Sequence, residues 1–218
     1  MCGRIDAHDP IGVNNLISIL DIALPHERFV PRYNIAPDAM LTAVYYGDGF
    51  AITDMRWGLL PSWVKADTFR RPLVNARAET IREKPSFKKL IKHTRTIIPV
   101  NGFYEWQRSG AGKRSYHFGP ADENALALGA IYQAGDDGES RCCIITTAAN
   151  GLMAPVHDRM PVVIARDALN DWLRSDDDGV IDELMRPCPE GWLVVNEVSA
   201  YVNNARNEGT RCIEPLRG

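Results

Sequence analysis

The 218-residue sequence predicts an α+β fold: a single domain over residues 1–218, built on a largely antiparallel, barrel-like β-sheet with peripheral helices. Three observations predict it. Short segments rich in β-branched and aromatic residues recur along the chain. Clusters of Gly, Asp and Ser separate them. Helical periodicity is confined to a few stretches. A chain of this length buries one sizeable core and falls short of two ordinary domains.

The elements follow in order. Residues 11–22 place apolar side chains at helical spacing. Arg32-Tyr33-Asn34-Ile35-Ala36-Pro37 reads as a polar turn between that helix and the next strand. Strands are expected at 41–46 and 51–57, joined by the turn Gly47-Asp48-Gly49. Residues 78–92 read as a helix interrupted by Pro85, which lacks a backbone donor. Further strands are expected at 96–100, 103–107, 115–118, 125–132 and 142–147. Turns at Ser109-Gly110-Ala111-Gly112 and Gly135-Asp136-Asp137-Gly138 punctuate them. Residues 162–165 and 192–198 complete the strands. Between these two, Asp167 is expected to cap a helix carrying Ala168, Leu169, Trp172 and Leu173. A short helix over 180–185 should stop before Pro187.

Composition excludes several classes. Apolar residues make up 45% and charged residues 24%, both ordinary for a soluble globular protein. No stretch approaches the roughly 18 apolar residues of a membrane helix. The opening MCGRIDAHDP lacks the basic-then-apolar layout of a secretion signal. The expected location is therefore the cytoplasm, or the nucleus in a eukaryote. The five cysteines are odd in number and show no CxxC spacing, so neither a disulfide framework nor a zinc site is expected. Cys142 and Cys143 read as small buried strand residues. No dinucleotide fingerprint or phosphate-binding lysine loop is present, and no metal or organic cofactor is expected.

The net charge of −3 hides an asymmetry. Residues 63–95 hold ten basic residues and three acidic ones. Such a segment on an acidic chain suggests either a local polyanion site or a solvated helix face.

Cys2 is the candidate reactive residue. Removal of Met1 would give one residue both a free α-amine and a thiol. Their ordinary pKa values, about 7.7–8.0 and 8.5, leave both reactive near neutrality. The amine can condense with an aldehyde, and the tethered thiol can then close a five-membered thiazolidine.

Polar-aromatic clusters follow downstream. The ordered set MCGR, RYNIAP, RWGL, NARAET, GFYEW and HDRMP resembles the SRAP family, the SOS response-associated, abasic-site processing proteins. The resemblance runs from Cys2 to the Ile213-Glu214-Pro215 tail. It implies the SRAP fold, with single-stranded DNA containing abasic sites as partner, and a covalent thiazolidine with the ring-opened sugar. By motif, Cys2 would be the nucleophile and Asn75 would hold the opened sugar or the terminus. Glu105 would shuttle protons, and His157 would assist ring opening and reversal. Arg77 and Arg159 would meet phosphates, with Arg4 near the nucleophile. Trp63 and Trp106 would stack on bases. The chain departs from the family at Trp63-Val64, where relatives carry a Trp-Trp pair. A monomer acting without membrane or small-molecule cofactor is expected. Two other readings stay open: a cysteine peptidase using Cys2, His157 and Glu105, and a non-covalent reader of damaged nucleic acid.

Overall fold

A computed structural model describes residues 2–60, 72–110, 112–122, 124–135 and 138–216. The chain order is β1 (Ile5–Ala7), α1 (Pro10–Ile17), β2 (Arg32–Ile35), β3 (Met40–Tyr46), β4 (Phe50–Trp57) and β5 (Asn75–Arg77). It continues through α2 (Leu90–His93), β6 (Arg95–Val100), β7 (Gly102–Ser109), β8 (Gly112–Pro120), β9 (Leu126–Gln133) and β10 (Arg141–Ala148). Then come β11 (Arg159–Pro161), β12 (Val163–Ile164), α3 (Leu169–Arg174), α4 (Asp178–Leu184) and β13 (Leu193–Val198).

These strands form two sheets. The first is antiparallel, ordered β13-β8-β7-β1-β2. The second runs β11-β10-β4-β3-β6-β9-β12, with β5 added against β10. β10 also pairs with β9, and it touches β4 in parallel at Arg141↔Arg56 and Cys142↔Trp57. The second sheet therefore curls back on itself through β10, in keeping with the barrel-like sheet that the sequence suggested. The α+β class itself is as expected.

Alternation along the strands divides the interior. Val44, Ile97, Ile131, Cys143 and Ile145 belong to a core shared with the helices. Their neighbours Ala43, Ile98, Ala130, Cys142 and Ile144 belong to a core shared with Ile5, Phe103 and Phe118 of the first sheet. The curled sheet is thus buried on both faces, which is why its strands read as apolar runs. Both Cys142 and Cys143 are buried, as expected.

The first two helices are shorter than the sequence suggested. α1 starts behind Asp9, whose carboxylate accepts from the N–H groups of Ile11 and Gly12 at 2.9 and 3.1 Å. It gives way to a 3-10 turn at Ser18–Leu20, which ends where Asp21 takes a positive φ of 55°. The expected helix over 78–92 is mostly turns, with a 3-10 turn at Ala78–Thr80 and only α2 at its end. Asp167 is not a cap. It sits inside a 3-10 turn, Arg166–Ala168, and no side chain caps α3. The cap signal is instead met by Asp177 at α4. The expected polar turn at Arg32 is a strand, β2. Among the described residues, no helix is long and apolar enough to cross a membrane.

Candidate active site

The site is built where β1 meets β7. The antiparallel pairing Ile5↔Phe103 and Asp6↔Gly102 sets the register, and the Tyr104 N–H donates to the Arg4 carbonyl at 2.9 Å. Continued by two residues, that register puts Gly3 opposite Glu105, with Cys2 next to it. Cys2 is fully buried in the core between the two sheets. Glu105 shares the Phe103 face of β7 and is 3% exposed.

Burial pushes the Glu105 carboxyl above its ordinary range, while the N-terminus and His157 act to lower it. Burial also pushes the Cys2 thiol up, and the Glu105 carboxylate adds to this. Cys2, Glu105 and His157 therefore lie within electrostatic reach as a chain of pairs. His157 ends the segment after β10. Its N–H donates to the Met153 carbonyl at 3.0 Å, and its Nδ1 accepts from the Arg159 N–H at 3.0 Å. Asp158 Oδ1 lies 2.9 Å from the same ring nitrogen. Gln107 Nε2 donates to the Pro155 carbonyl at 2.7 Å and ties this segment to β7.

Asn75 stands on β5 beside Ile144 of β10. Its Nδ2 reaches the Ile144 carbonyl only at 3.5 Å, and its buried Oδ1 has no partner among the described residues. A buried acceptor left unpaired costs about 1–3 kcal/mol, so such an atom is a candidate for contacting a ligand. Arg77, two residues on, is exposed and pairs in register with Thr146. Among the described residues, no carboxylate forms a salt bridge with it.

Other expected contacts are already occupied. Arg159 makes a bidentate pair with Glu79 at 2.6 and 2.8 Å and donates to the Thr146 carbonyl at 2.6 Å. That pair holds the Glu79 carboxyl below its usual range. A phosphate would have to compete with Glu79 for Arg159. Arg4 Nη1 donates to Asn34 Oδ1 at 2.6 Å and to the Val202 carbonyl at 2.9 Å. Trp106 donates through Nε1 to Asn203 Oδ1 at 2.6 Å, and Lys113 Nζ sits 4.3 Å from its ring centroid. Trp106 and Arg4 stand on the face of the first sheet opposite Glu105, packed near Tyr104 and the C-terminal segment. Trp63 and Val64 lie outside the described residues.

Beyond Arg77, the described part of the basic segment, residues 82–95, packs on the helix side. Phe87 and Ile91 anchor it in the helix-side core, and Lys84, Lys88, Lys89 and Lys92 are exposed there. Arg82 pairs with Asp178 and Asp182 at 2.7 and 2.8 Å. Arg95 is buried and donates to the carbonyls of Ile91, Lys92, Trp172 and Ser175. For these described residues, the solvated-face reading of the charge fits better than a polyanion site at the centre.

Sequence reasoning missed a buried polar cluster, Asp6 with His8 and His117. His117 lies 111 residues from Asp6, so no local signal could join them. It also missed Asn34 as a fastener, although RYNIAP contains it.

The chain resembles known proteins in both sequence and fold. The family model described as SOS response associated peptidase (SRAP) matches residues 1–205. The abasic site processing protein YoqW of Bacillus subtilis is 34% identical over 224 residues, covering 98% of this chain and 99% of its own. The abasic site processing protein YedK of Escherichia coli is 30% identical over 197 residues, covering 86% of each chain. The crystal structure of a protein from Bacteroides thetaiotaomicron matches with a TM-score of 0.75 at 26% identity, over 84% of this chain and 85% of that one. Family match, length of alignment and fold together make this chain a member of the SRAP family.

Proposed function

We propose that this protein processes abasic sites by capturing the ring-opened sugar aldehyde, in single-stranded DNA, on Cys2. The observation that carries the reading is that Cys2 and Glu105 are both buried and within electrostatic reach of each other where β1 pairs with β7. The names of its relatives point the same way, since YoqW and YedK are abasic site processing proteins.

With Met1 removed, the Cys2 amine attacks the aldehyde carbon. Loss of water gives a Schiff base. The S–H then adds across the C=N bond, sulfur to carbon and proton to nitrogen, closing the thiazolidine. Water is hard to expel without a proton donor. Burial keeps the Glu105 carboxyl protonated to higher pH than usual, which suits that role. His157 would assist opening of the sugar ring, and Asn75 Oδ1 would accept from a sugar hydroxyl or from the Cys2 amine. Arg77 supplies the exposed phosphate contact, whereas Arg159 would act only after exchange with Glu79.

Burial and the Glu105 carboxylate both oppose a Cys2 thiolate. A peptidase nucleophile needs the opposite bias. Cleavage of other proteins is therefore the weaker reading.

The test is a denaturing gel after mixing the protein with single-stranded DNA carrying one abasic site. A shifted band is expected to survive, and Cys2→Ala should abolish it. A surviving band in Cys2→Ala, or mass spectrometry showing Met1 retained in active protein, would overturn the mechanism. Affinity should also fall with salt, and Arg77→Gln should flatten the logarithmic slope by about 0.7. An unchanged slope would remove Arg77 from the interface.

A further inference from the structure

We propose that Asp6 and His117, joined by His8, form a lock that fixes the register of β1 on β7 and thereby delivers Cys2 to Glu105. The consequence for catalysis rests on the proposed function; the lock itself does not.

Asp6 is fully buried. Each of its oxygens meets a histidine: His117 Nε2 lies 2.8 Å from Oδ1, and His8 Nδ1 lies 2.7 Å from Oδ2. The His8 ring stacks on Tyr33, with centroids 4.8 Å apart. Asn101 Oδ1 accepts from the N–H groups of His8 and Asp9 at 2.7 and 2.9 Å, which steadies the chain leaving β1. His117 belongs to β8, so it must reach Asp6 across the intervening strand β7. It crosses at Gly102, the residue opposite Asp6 in the ladder. A Cβ on Gly102 would lie 2.3 Å from His117 Nε2 and 2.7 Å from the Phe118 carbonyl. Gly102 is thus the gap through which the lock closes.

Such a device has a reason here. β1 is three residues long, and its ladder with β7 holds two register pairs. So short a ladder specifies register weakly. A slip by one residue would turn every side chain of β1 to the other face and move Cys2 away from Glu105. In a slipped register, Asp6 would be a buried carboxylate without His117, so that register is excluded. Buried ion pairs add little net stability, and fixing register is their best-attested use. None of these three side chains contacts the reacting atoms; they are positioning residues.

The test reads Cys2 directly. In Asp6→Asn and His117→Gln, the rate of Cys2 alkylation by iodoacetamide is followed by mass spectrometry, with Cys142 and Cys143 as buried references. Release of β1 should speed Cys2 labelling by about tenfold or more, through local opening, with the reference cysteines unchanged. Crosslinking to an abasic strand should slow by about 100-fold, because misplacement by an ångström is enough. Affinity for a strand carrying an unreactive tetrahydrofuran analogue should be unchanged. His8→Gln removes one arm only and should give an intermediate increase in labelling, should either stronger variant fail to fold. Unchanged Cys2 labelling, or equal acceleration at all three cysteines, overturns the lock. If labelling changes as expected while the parent protein forms no DNA adduct, the lock stands and the abasic-site reading fails.

Discussion

Replacing Glu105 with glutamine is expected to slow adduct formation by about 10²- to 10⁴-fold, the usual contribution of a positioned acid-base group. The same change should make the protein more stable at neutral pH. Burial raises the Glu105 carboxyl above its unfolded value, so the fold disfavours its ionised form. Stability from this group is fully present below the unfolded value of about 4.3 and is lost as pH rises through the folded one. Glutamine has no proton to lose, so the variant's stability should not decline over that window. Melting curves from pH 4 to 8 for both proteins check the sign. A variant that melts lower at pH 7 would mean that the carboxylate is satisfied in the fold and is not a poised acid. Slow adduct formation with a raised melting temperature would show a group kept for chemistry at a cost in stability.

The second large effect is expected at Asn34. Its Nδ2 reaches the carbonyls of Val202, Asn204 and Asn207 at 3.3, 3.0 and 2.9 Å, and its Oδ1 accepts from Arg4 at 2.6 Å. One buried side chain therefore fastens the segment after β13 to β2 and to the start of β1. Asn34→Ala strands several polar groups, each worth about 1–3 kcal/mol when buried and unpaired. The expected loss is about 3 kcal/mol, or roughly 6–12 °C in Tm for a chain of this size. Limited proteolysis should then cut first within residues 199–216. Asn34→Asp separates the parts: it keeps an acceptor for Arg4 and loses the donors to the three carbonyls. If Asp restores full stability, the Arg4 contact matters and the fastening of the tail does not.

The long strands were legible in the sequence because apolar alternation and turn residues coincide there. β3 and β4 flank Gly47-Asp48-Gly49, and β7 and β8 flank the Gly110–Gly112 turn. β1, β2, β5 and β11 were not legible as strands, because at three or four residues they are too short to show a period. Yet these four carry much of the candidate site, so its residues were found by motif and not by element. The partners of the arginines were illegible for another reason. Arg159 meets Glu79 across 80 positions, and Arg4 meets Val202 across 198. A sequence shows a guanidinium as free until the fold brings a carbonyl or carboxylate to it. The charge asymmetry left two readings open for the same reason, and the fold decides between them by carrying the described lysines onto the helical face.

The neighbouring letters of GFYEW part company in the fold. The pleat of β7 sends Phe103 and Glu105 to the side of Cys2, and Tyr104 and Trp106 to the side of the C-terminal tail. A single ribbon of backbone thus writes two messages in alternate characters. Odd positions from 103 to 105 answer to the chemistry, and even positions from 104 to 106 answer to the anchoring of the tail. Mutational phenotypes along this strand should alternate residue by residue. The two traits can then be altered separately, by natural drift or by an engineer, although no two residues in the chain stand closer together.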